Sequence, residues 1–312
     1  MGDFAFAIWD RRKQQLFCAR DHFGVKPFYY FRSARTFAWA TEIKAIFCLP
    51  EESPRLNEVK VADYLISLIE DKAITYYQDI LRLPPAHSMI VNPTQIQLNK
   101  YWFLDPKSEL RLKSDRDYAE AFQEHFSTAV NCRLRSAFPV GSLFSGGLVS
   151  SSISCMARQL LTPIGKTPLK TFSAIFDTVT QCDERKFIQA VVAQGGIEPH
   201  YVRADRIGPL SDLEQVLWHQ DEAFYAPNLF MHSELYRAAS GQGVRVLLDG
   251  FDGDTTVSHG VTYMTELARQ GKWLALTREV RGFAHNYNRD PKKMLWKYVW
   301  PYGLAPIVPS IG

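Results

Sequence analysis

Short apolar runs alternate with helical patterns after Asp115, and this alternation restricts the fold of the 312-residue chain more than any other feature. The alternation predicts strands and helices that follow one another in turn. The predicted elements are helix Arg116–Ser136, strand Val140–Phe144, helix Ser150–Leu161, strand Leu169–Phe176, helix Glu184–Gln194, strand His200–Arg203, helices across 212–240 and strand Val244–Leu248. This order is typical of a doubly wound parallel sheet, in which ligands bind at the carboxyl ends of the strands.

The first half of the sequence is richer in β pattern. Short apolar or aromatic runs separated by charged turns predict the strands Phe4–Trp9, Leu16–Ala19, Phe28–Phe31 and Thr36–Ala40. Helical spacing predicts a helix over Val59–Ile69, and a Pro-Pro turn leads into a strand whose hairpin partner is Gln95–Trp102. The charged segment Phe103–Asp115 then separates the halves. We therefore predict a β-rich domain over residues 1–103 and an α/β domain over residues 104–312.

The composition is that of a globular protein, with 46% apolar and 22% charged residues. The net charge is +3, and no basic run of the kind that follows phosphates is present, so we expect no nucleic-acid partner. No stretch of about 18 apolar residues suggests a membrane span, and the first residues lack the basic segment of a signal peptide. We predict a cytoplasmic protein that does not contact a membrane.

The cysteine pattern argues against disulfides and against a zinc site. The count is odd, no pair has CxxC spacing, and no histidine lies close enough in the sequence to complete a ligand set. Most of the cysteines flank apolar runs, so we predict mostly buried free thiols in a reducing compartment. The five residues are Cys18, Cys48, Cys132, Cys155 and Cys182.

The segment "FSGGLVSSSI" follows the first strand of the α/β half. Gly146 and Gly147 let the backbone approach an anion, and Ser145, Ser150 and Ser151 supply hydroxyl donors. The predicted helix directs its N-terminal N–H groups to the same place. These features predict a phosphate or pyrophosphate loop, although a glycine turn before a serine-capped helix has the same residues. The loop is not of the Walker type, because no GK[ST] follows.

The segment "DGFDGDTTVSHG" follows the last strand of the same half. Asp249, Asp252 and Asp254 are close in sequence, and neighbouring carboxylates repel one another unless a cation neutralises them. Mg²⁺ on a substrate's phosphates is such a cation, whereas a solvated Asp/Gly turn is the simpler alternative. Because both loops leave carboxyl ends of strands, we predict that they face each other and bind a magnesium nucleotide.

Several segments resemble those of one enzyme family. "SGGLVSSSI" is similar to the pyrophosphate loop SGGLDSS of the ATP pyrophosphatase superfamily. "GDFAFAIWD", "ARDHFGVKPFYY", "ATEIKAI" and "ITYYQDILRLPPAHSMIV" resemble the second half of the glutaminase domain in the glutamine-hydrolysing asparagine synthetase family. "FSAIFD", "DERKFIQAVV" and "VRVLLDGFDGDTTVSHG" follow in that family's order, so the resemblance covers nearly all of the chain. "DGFDGD" is also similar to relatives that close lactam rings in ribosomal peptides, the lasso peptide cyclases.

The resemblance implies a truncated N-terminal-nucleophile glutaminase-type domain followed by a PP-loop ATP pyrophosphatase domain. It also implies a reaction in which a carboxylate attacks the α-phosphate of ATP and an amine captures the acyl-adenylate as an amide. ATP and Mg²⁺ are the implied cofactors, and the implied carboxylate is aspartate or a peptide side chain. A homodimer is compatible with the resemblance.

The family's functional positions map onto this sequence residue by residue. The implied pyrophosphate-binding residues are Ser145, Gly146, Gly147, Ser150 and Ser151. The residues implied to border the adenine are Phe144 and Ala174, and those implied to line the nucleotide pocket are Asp249 and Gly250. Asp254 is the implied Mg²⁺ ligand.

The sequence departs from the family pattern in four places. The family's glutaminase uses a cysteine at the mature N-terminus, whereas position 2 here is Gly2, so we expect no glutamine hydrolysis. Val149 replaces the loop aspartate, and Phe251 replaces a glutamate that the synthetases carry. The family's later segment with its adenylation lysine does not appear before Gly312, so we expect a chain truncated at both ends.

Three hypotheses remain open from the sequence. The chain is a fragment of an asparagine synthetase-like ligase, a related ligase that forms a peptide macrolactam, or a non-catalytic remnant. Retention of the other loop residues favours the ligases, whereas Val149 and the expected truncations favour the remnant. Whether the chain retains the family's carbon–nitrogen ligase activity stays open.

Overall fold

The computed structural model describes residues 2–50, 55–68, 70–105, 107–166, 168–224, 226, 228–257 and 262–299. The chain forms antiparallel sheets in its first half and a parallel sheet flanked by helices in its second half. This arrangement confirms the predicted fold class. The described residues between Lys100 and Asp115 form no helix or strand. The domain boundary after residue 103 stays a prediction.

Two antiparallel sheets make up the first half. The first sheet contains, in spatial order, β1 (Ala5–Asp10), β2 (Gln15–Arg20), β6 (His87–Val91) and β7 (Ile96–Lys100). The second contains, in spatial order, β4 (Phe37–Ala40), β3 (Tyr29–Arg32) and β5 (Ile80–Arg82). The four strands predicted within the first 40 residues each lie within one residue of their predicted bounds, because apolar and aromatic runs between turns mark them clearly.

The two sheets pack face to face around an apolar core. Its buried residues are Leu16, Cys18, Phe28, Tyr30, Leu83, Met89 and Val91. The short helix α1 (Ile43–Ile46) covers the other face of the second sheet, where Phe31 and Ile80 are buried. The second sheet is therefore buried on both faces, which holds α1 and its neighbours in fixed positions.

Helix α2 (Glu58–Leu65) is shorter than the predicted helix over Val59–Ile69. The Asn57 side chain caps its start by accepting a hydrogen bond from the Lys60 amide at 3.4 Å. The helix ends early because Ser67 has a φ of 57°, outside the helical region. The apolar spacing continues past this point although the helical backbone does not.

The second half contains the predicted parallel sheet. Its strands are β8 (Val140–Leu143), β9 (Leu169–Ile175), β10 (Ile197–Arg203) and β11 (Val246–Leu248). All three pairings are parallel, and the spatial order is β10-β9-β8-β11. Successive strands β8, β9 and β10 proceed in one direction, and β11 then returns to the other side of β8. The topological switch point, where open α/β sheets bind ligands, therefore lies between β8 and β11.

Helices cover both faces of this sheet. The described helices of the second half are α3 (Asp115–Arg133), α4 (Leu148–Leu161), α5 (Arg185–Val192), α6 (Leu213–Gln220), α7 (Leu229–Gly241), α8 (Gly253–Val257), α9 (Thr262–Arg269), α10 (Trp273–Asn286) and α11 (Pro291–Val299). Helices α3 and α4 bury one face in a cluster with Leu169 and Leu248. Helix α7 buries the other face against Leu143 and Phe172. Helices α9 to α11 pack around a separate core.

The cysteine prediction is partly wrong. All five thiols are free, as predicted, but of them Cys18 alone is fully buried, whereas Cys48 and Cys182 are exposed. Cys48 and Cys182 lie at short helical turns rather than inside an apolar strand. Apolar neighbours in the sequence therefore did not imply burial. Among the described helices, none has both the length and the apolar character needed to cross a membrane.

The two halves are joined at the end of α6. The Asp221 carboxylate accepts hydrogen bonds from the Ile43 amide at 2.7 Å and from Lys44 Nζ at 3.1 Å. The Glu222 carboxylate forms an ion pair with Arg82 and accepts the Tyr76 amide at 3.1 Å. Two adjacent carboxylates of the second half thus anchor it to the first half.

Candidate functional site

The segment after β8 enters the switch point as a continuation of the sheet. The Phe144 amide donates to the Phe172 carbonyl at 2.9 Å, and the Ser173 hydroxyl donates to the Phe144 carbonyl. Phe144 is buried. Ala174, in the neighbouring strand β9, is half-buried close to the same carboxyl edge. These contacts place the backbone of Ser145–Gly147 at the edge of the sheet.

Gly146 has a backbone conformation that favours glycine, with a φ of +84°. A Cβ there would lie 3.0 Å from Phe187 Cβ and 3.1 Å from the Ile188 amide nitrogen of α5. The missing side chain therefore lets the loop pass close to α5. The sequence predicted a close backbone approach here, and the neighbour in the structure is a helix of the protein itself.

The serine hydroxyls are organised within the loop. Ser145 Oγ lies 3.0 Å from Ser150 Oγ and accepts the Gly147 amide at 3.3 Å, while Ser150 Oγ lies 3.2 Å from the Gly147 carbonyl oxygen. Gly147 is the N-cap of α4 and has no side chain to satisfy the first N–H groups of that helix. Helix α4 therefore begins at Leu148, earlier than predicted, and its positive end faces the loop.

The loop after β11 forms a compact turn. Asp249 Oδ1 accepts the Phe251 amide at 3.0 Å, and the Gly250 carbonyl accepts the Gly253 amide at 3.1 Å. Asp252 has a φ of 59°, in the left-handed region, and α8 begins at the next residue, Gly253. The Asp249 carboxylate is therefore held at the mouth of the switch point.

The two loops touch each other. A Cβ at Gly250 would lie 3.1 Å from the Ser150 amide nitrogen and 3.1 Å from Val149 Cγ1. A Cβ at Gly253 would lie 2.4 Å from the same Val149 methyl group, closer than packed atoms approach. The structure thus brings Ser150 and Gly250 together, as two facing loops require, and Val149 occupies the position between them.

A third loop, after β9, completes the rim. Asp183 accepts the Phe176 amide at 3.2 Å and pairs with Arg185 Nε at 2.9 Å, and Arg185 also pairs with Asp177 at 3.0 Å. Glu184 is the N-cap residue of α5 and makes no side-chain cap hydrogen bond. Arg185 was not predicted from the sequence as a site residue, although its position in "DERK" at the start of a predicted helix was the available signal.

Asp205 closes the same loop from β10. Its carboxylate accepts the Thr178 hydroxyl at 2.8 Å and the Val179 amide at 3.2 Å, as well as the Asp177 amide. Desolvation opposes ionisation, but these hydrogen bonds outweigh it and hold the pKa of Asp205 below its usual value. Asp205 was not predicted from the sequence either, because its hydrogen-bonding partners lie nearly 30 residues away.

Helix α7 supplies two further residues, His232 and Tyr236, that were not predicted from the sequence. The His232 ring lies 6.4 Å from the Phe251 ring in an edge-on arrangement. Burial and, second, the negative charge of Asp249 raise the pKa of Tyr236 above its usual value. Both side chains therefore border the loop after β11, and Phe251 itself is 67% exposed beside them.

The residues fit a polyphosphate better than they fit a complete metal site. Glycines, hydroxyls and a helix N-terminus form a cradle suited to an anion. Among the described residues, no group of three or more His, Cys, Asp or Glu side chains is arranged to hold a metal ion. The Asp254 side chain lies outside the described part of the structure, so its predicted role stays a prediction.

The buried thiol of the first half is unsuited to nucleophilic chemistry. Burial raises the pKa of Cys18 to about 12, so the thiolate is scarce at neutral pH. The side chain belongs to the core between the two sheets. Its role there is packing.

Comparisons with known proteins follow the same two-part division. A family model described as a glutamine amidotransferase domain matches residues 1–102. A second family model, described as asparagine synthase, matches residues 121–304.

Curated relatives match over much of the chain. The chain is 26% identical over 270 residues to Amidase chry2 of Gibberella zeae, covering 81% of this chain and 39% of that protein. It is 31% identical over 194 residues to the glutamine-hydrolysing asparagine synthetase 3 of Bacillus subtilis, covering 62% and 30% respectively. It is 26% identical over 300 residues to a putative glutamine-hydrolysing asparagine synthetase 2 of Methanocaldococcus jannaschii, covering 92% and 57%. The match thus spans less than two thirds of each of these relatives.

Proposed function

Because the chain belongs to the asparagine synthase family, we propose that its second half performs ATP-dependent amide formation through an acyl-adenylate. The observation that carries this proposal is the contact between the loops after β8 and β11 at the switch point of the parallel sheet. A glycine–serine cradle and an acidic loop meet there. This pairing suits a nucleotide whose phosphates carry a magnesium ion.

In the proposed reaction, a carboxylate oxygen of the acceptor attacks the α-phosphorus of ATP. The bond from that phosphorus to the bridging oxygen breaks, and pyrophosphate leaves. An amine nitrogen then attacks the activated acyl carbon and loses a proton, and AMP leaves with the electron pair of the acyl–oxygen bond. The protein's part is to bind, to orient and to stabilise the charge that develops on the leaving pyrophosphate.

The proposed roles follow the position of each residue. The residues proposed to hold pyrophosphate are Ser145, Gly146, Gly147, Ser150 and Ser151, which form the loop and the first turn of α4. The residues proposed to surround the nucleoside are Phe144, Ala174, Asp249 and Gly250, at the carboxyl ends of β8, β9 and β11. Asp254 is proposed to hold Mg²⁺, which would neutralise phosphate charge when bound.

Val149 is the residue that most weakens this function. Its methyl groups occupy the contact with Gly250 and Gly253, where a carboxylate would present oxygens toward the phosphates and the metal. An apolar group there contributes neither a ligand nor a hydrogen bond. A non-catalytic remnant is therefore the second candidate function, and Val149 is the observation that favours it.

The source of the amine and the acceptor carboxylate are the remaining parts of the proposal. Cys18 is buried and its thiolate is scarce at neutral pH, so we propose that the first half of this chain does not itself release ammonia from glutamine. We propose aspartate as the acceptor, because two relatives are named asparagine synthetases and asparagine is the side-chain amide of aspartate. Phe251 in place of a glutamate weakens the case for ammonia as the amine. The alternative is a peptide macrolactam, in which a peptide side chain supplies the carboxylate.

ATP–pyrophosphate exchange tests the proposal directly. We expect slow exchange by the natural chain with Mg²⁺ and aspartate, and a rate about tenfold or more higher in Val149→Asp, because the added carboxylate restores a metal ligand. Val59→Asp is the matched control, since Val59 is 64% exposed on α2, and its exchange should equal that of the natural chain. A peptide with acidic side chains replaces aspartate in a parallel series. If neither the natural chain nor Val149→Asp catalyses exchange with any acceptor, the result would contradict the ligase function and favour the non-catalytic remnant.

A further inference from the structure

A cavity lies away from the loops of the parallel sheet, where the first half meets the end of α6. Its volume is about 330 Å³. None of the residues around it belongs to the loops after β8, β9 or β11. The ionisable side chains around it are Arg20, Lys60, Asp71, Lys72, Arg82 and Glu222.

Lys60 is the unusual member of this group. The residue is 8% exposed, and no described residue forms an ion pair or a hydrogen bond with its ammonium group. Lys60 lies in the first turn of α2, where the helix dipole disfavours a positive charge. Its side chain lines the cavity. An anion bound in the cavity would offset the unfavourable position of this ammonium group at the N-terminus of the helix.

Arg20 adds a second buried cation. Among the described residues, its guanidinium donates to three backbone carbonyls, those of Lys26 at 2.7 Å, Leu83 at 2.7 Å and Gly24 at 2.6 Å. Burial and, second, the positive charge of Arg82 lower the pKa of Arg20. Carbonyl oxygens satisfy its N–H groups but do not neutralise its charge, so the guanidinium adds to the positive potential of the cavity.

The carboxylates around the cavity do not balance these cations. Glu222 forms an ion pair with Arg82, which accounts for one positive charge. Asp71 directs Oδ1 to the Ala73 and Ile74 amides at 2.8 Å and 3.3 Å. Among the described residues around the cavity, four cationic side chains face two carboxylates, which is a surplus of two positive charges.

We propose that this cavity binds a small dianion of the phosphate or dicarboxylate class, with Lys60 as its central ligand. The surplus charge matches two negative charges, and the volume is sufficient for a small molecule. Charge-assisted hydrogen bonds from a lysine and from arginines are the interactions that proteins use for such oxyanions. The ligand would bind on the border between the two halves, in a site separate from the nucleotide loops.

Calorimetric titration with inorganic phosphate, and separately with malonate, tests the site on the full 312-residue chain. We expect Lys60→Met to bind the preferred dianion about tenfold to hundredfold more weakly, because it loses a charge-assisted hydrogen bond. Lys60→Arg should retain binding within a few fold. Lys113→Met is the matched control, since Lys113 is exposed on the segment between the halves, and its affinity should not change.

Two further measurements separate the cavity from the nucleotide loop and from a folding effect. Ser150→Ala should leave the Lys60-dependent binding unchanged, whereas binding at the loop would be lost. Without a dianion, Lys60→Met should unfold at the same or a higher temperature than the natural chain, because an unpaired buried charge is removed. The proposal would be overturned if the natural chain bound neither dianion, or if Lys60→Met bound the dianion as tightly as the natural chain does. It would also be overturned if Lys60→Met, without ligand, unfolded at a lower temperature than the natural chain.

Discussion

The switch-point loops and the cavity at the border of the halves are both suited to negative charge, but they are built from different groups. The loops use glycines, hydroxyls and backbone N–H groups that are contiguous in the sequence. The cavity uses long cationic side chains whose positions are far apart in the sequence, from Arg20 to Arg82. A backbone site depends on close approach, so steric changes should damage it most. A side-chain site depends on charge balance, so charge changes should damage it most.

The largest expected effect concerns the charge balance of the cavity. Glu222→Gln should lower the free energy of unfolding by about 3 kcal/mol, because it leaves Arg82 without its partner among other cations. Millimolar phosphate should restore part of this loss in a urea titration. Glu109→Gln, which removes an exposed pair with Arg111, should cost less than about 0.5 kcal/mol. Equal effects of the two substitutions would mean that charge balance does not distinguish the cavity.

A steric change should damage the switch point next. Gly253→Ala places a Cβ 2.4 Å from Val149 Cγ1 and should cost about 2 kcal/mol, because the β-branched valine has few alternative rotamers. The double variant Gly253→Ala, Val149→Ala should recover most of this loss, as a double-mutant cycle measured by urea unfolding would reveal. No coupling between the two positions would refute the contact between the loops.

The backbone conformation of Gly146 should have a somewhat smaller effect. Gly146→Ala should cost about 1 to 2 kcal/mol, from the positive φ and from the approach to Phe187. Gly165→Ala is the matched control, because Gly165 has a φ of +68° and open space around its Cα. Thermal unfolding of both variants separates backbone strain from steric contact. If both lose the same stability, the proximity of α5 does not constrain the loop.

The smallest effect should appear in the third loop, as a dependence on pH. The pKa of Asp205 is lower in the folded chain than its usual value of 3.8, so the stability that it contributes is present above that value and is lost as the pH falls through the folded pKa. Asp205→Asn should therefore be less stable than the natural chain at neutral pH, and the difference should shrink below about pH 4. Unfolding midpoints in urea across this range measure it.

The control for this pH series is Asp63→Asn, since the Asp63 carboxylate accepts no hydrogen bond from the described residues. The change in stability with pH should be larger for Asp205→Asn than for this control. An equal change for the two variants would contradict the role of the carboxylate in closing the loop.

Local patterns predicted a large part of the fold. The strands β8, β9 and β11 and the helices α3, α4 and α5 lie close to their predicted bounds, because apolar runs and periodic stretches are contiguous. The helix over Val59–Ile69 was predicted too long, because apolar spacing does not report the left-handed turn at Ser67. The exposure of Cys48 and Cys182 was missed, because burial depends on what packs against a residue rather than on its sequence neighbours.

The sequence by itself determined the order of the elements, the fold class and the two glycine-containing loops, since each depends on residues adjacent in the chain. The tertiary structure alone decided that Val149 lies against Gly250 and Gly253, and that Arg185, Asp205 and Tyr236 border the same crevice. It also decided that Lys60 is 8% exposed and has no anionic partner among the described residues. The physical reason is that close packing and charge balance are set by groups that meet only after the chain has folded, many of them tens of residues apart.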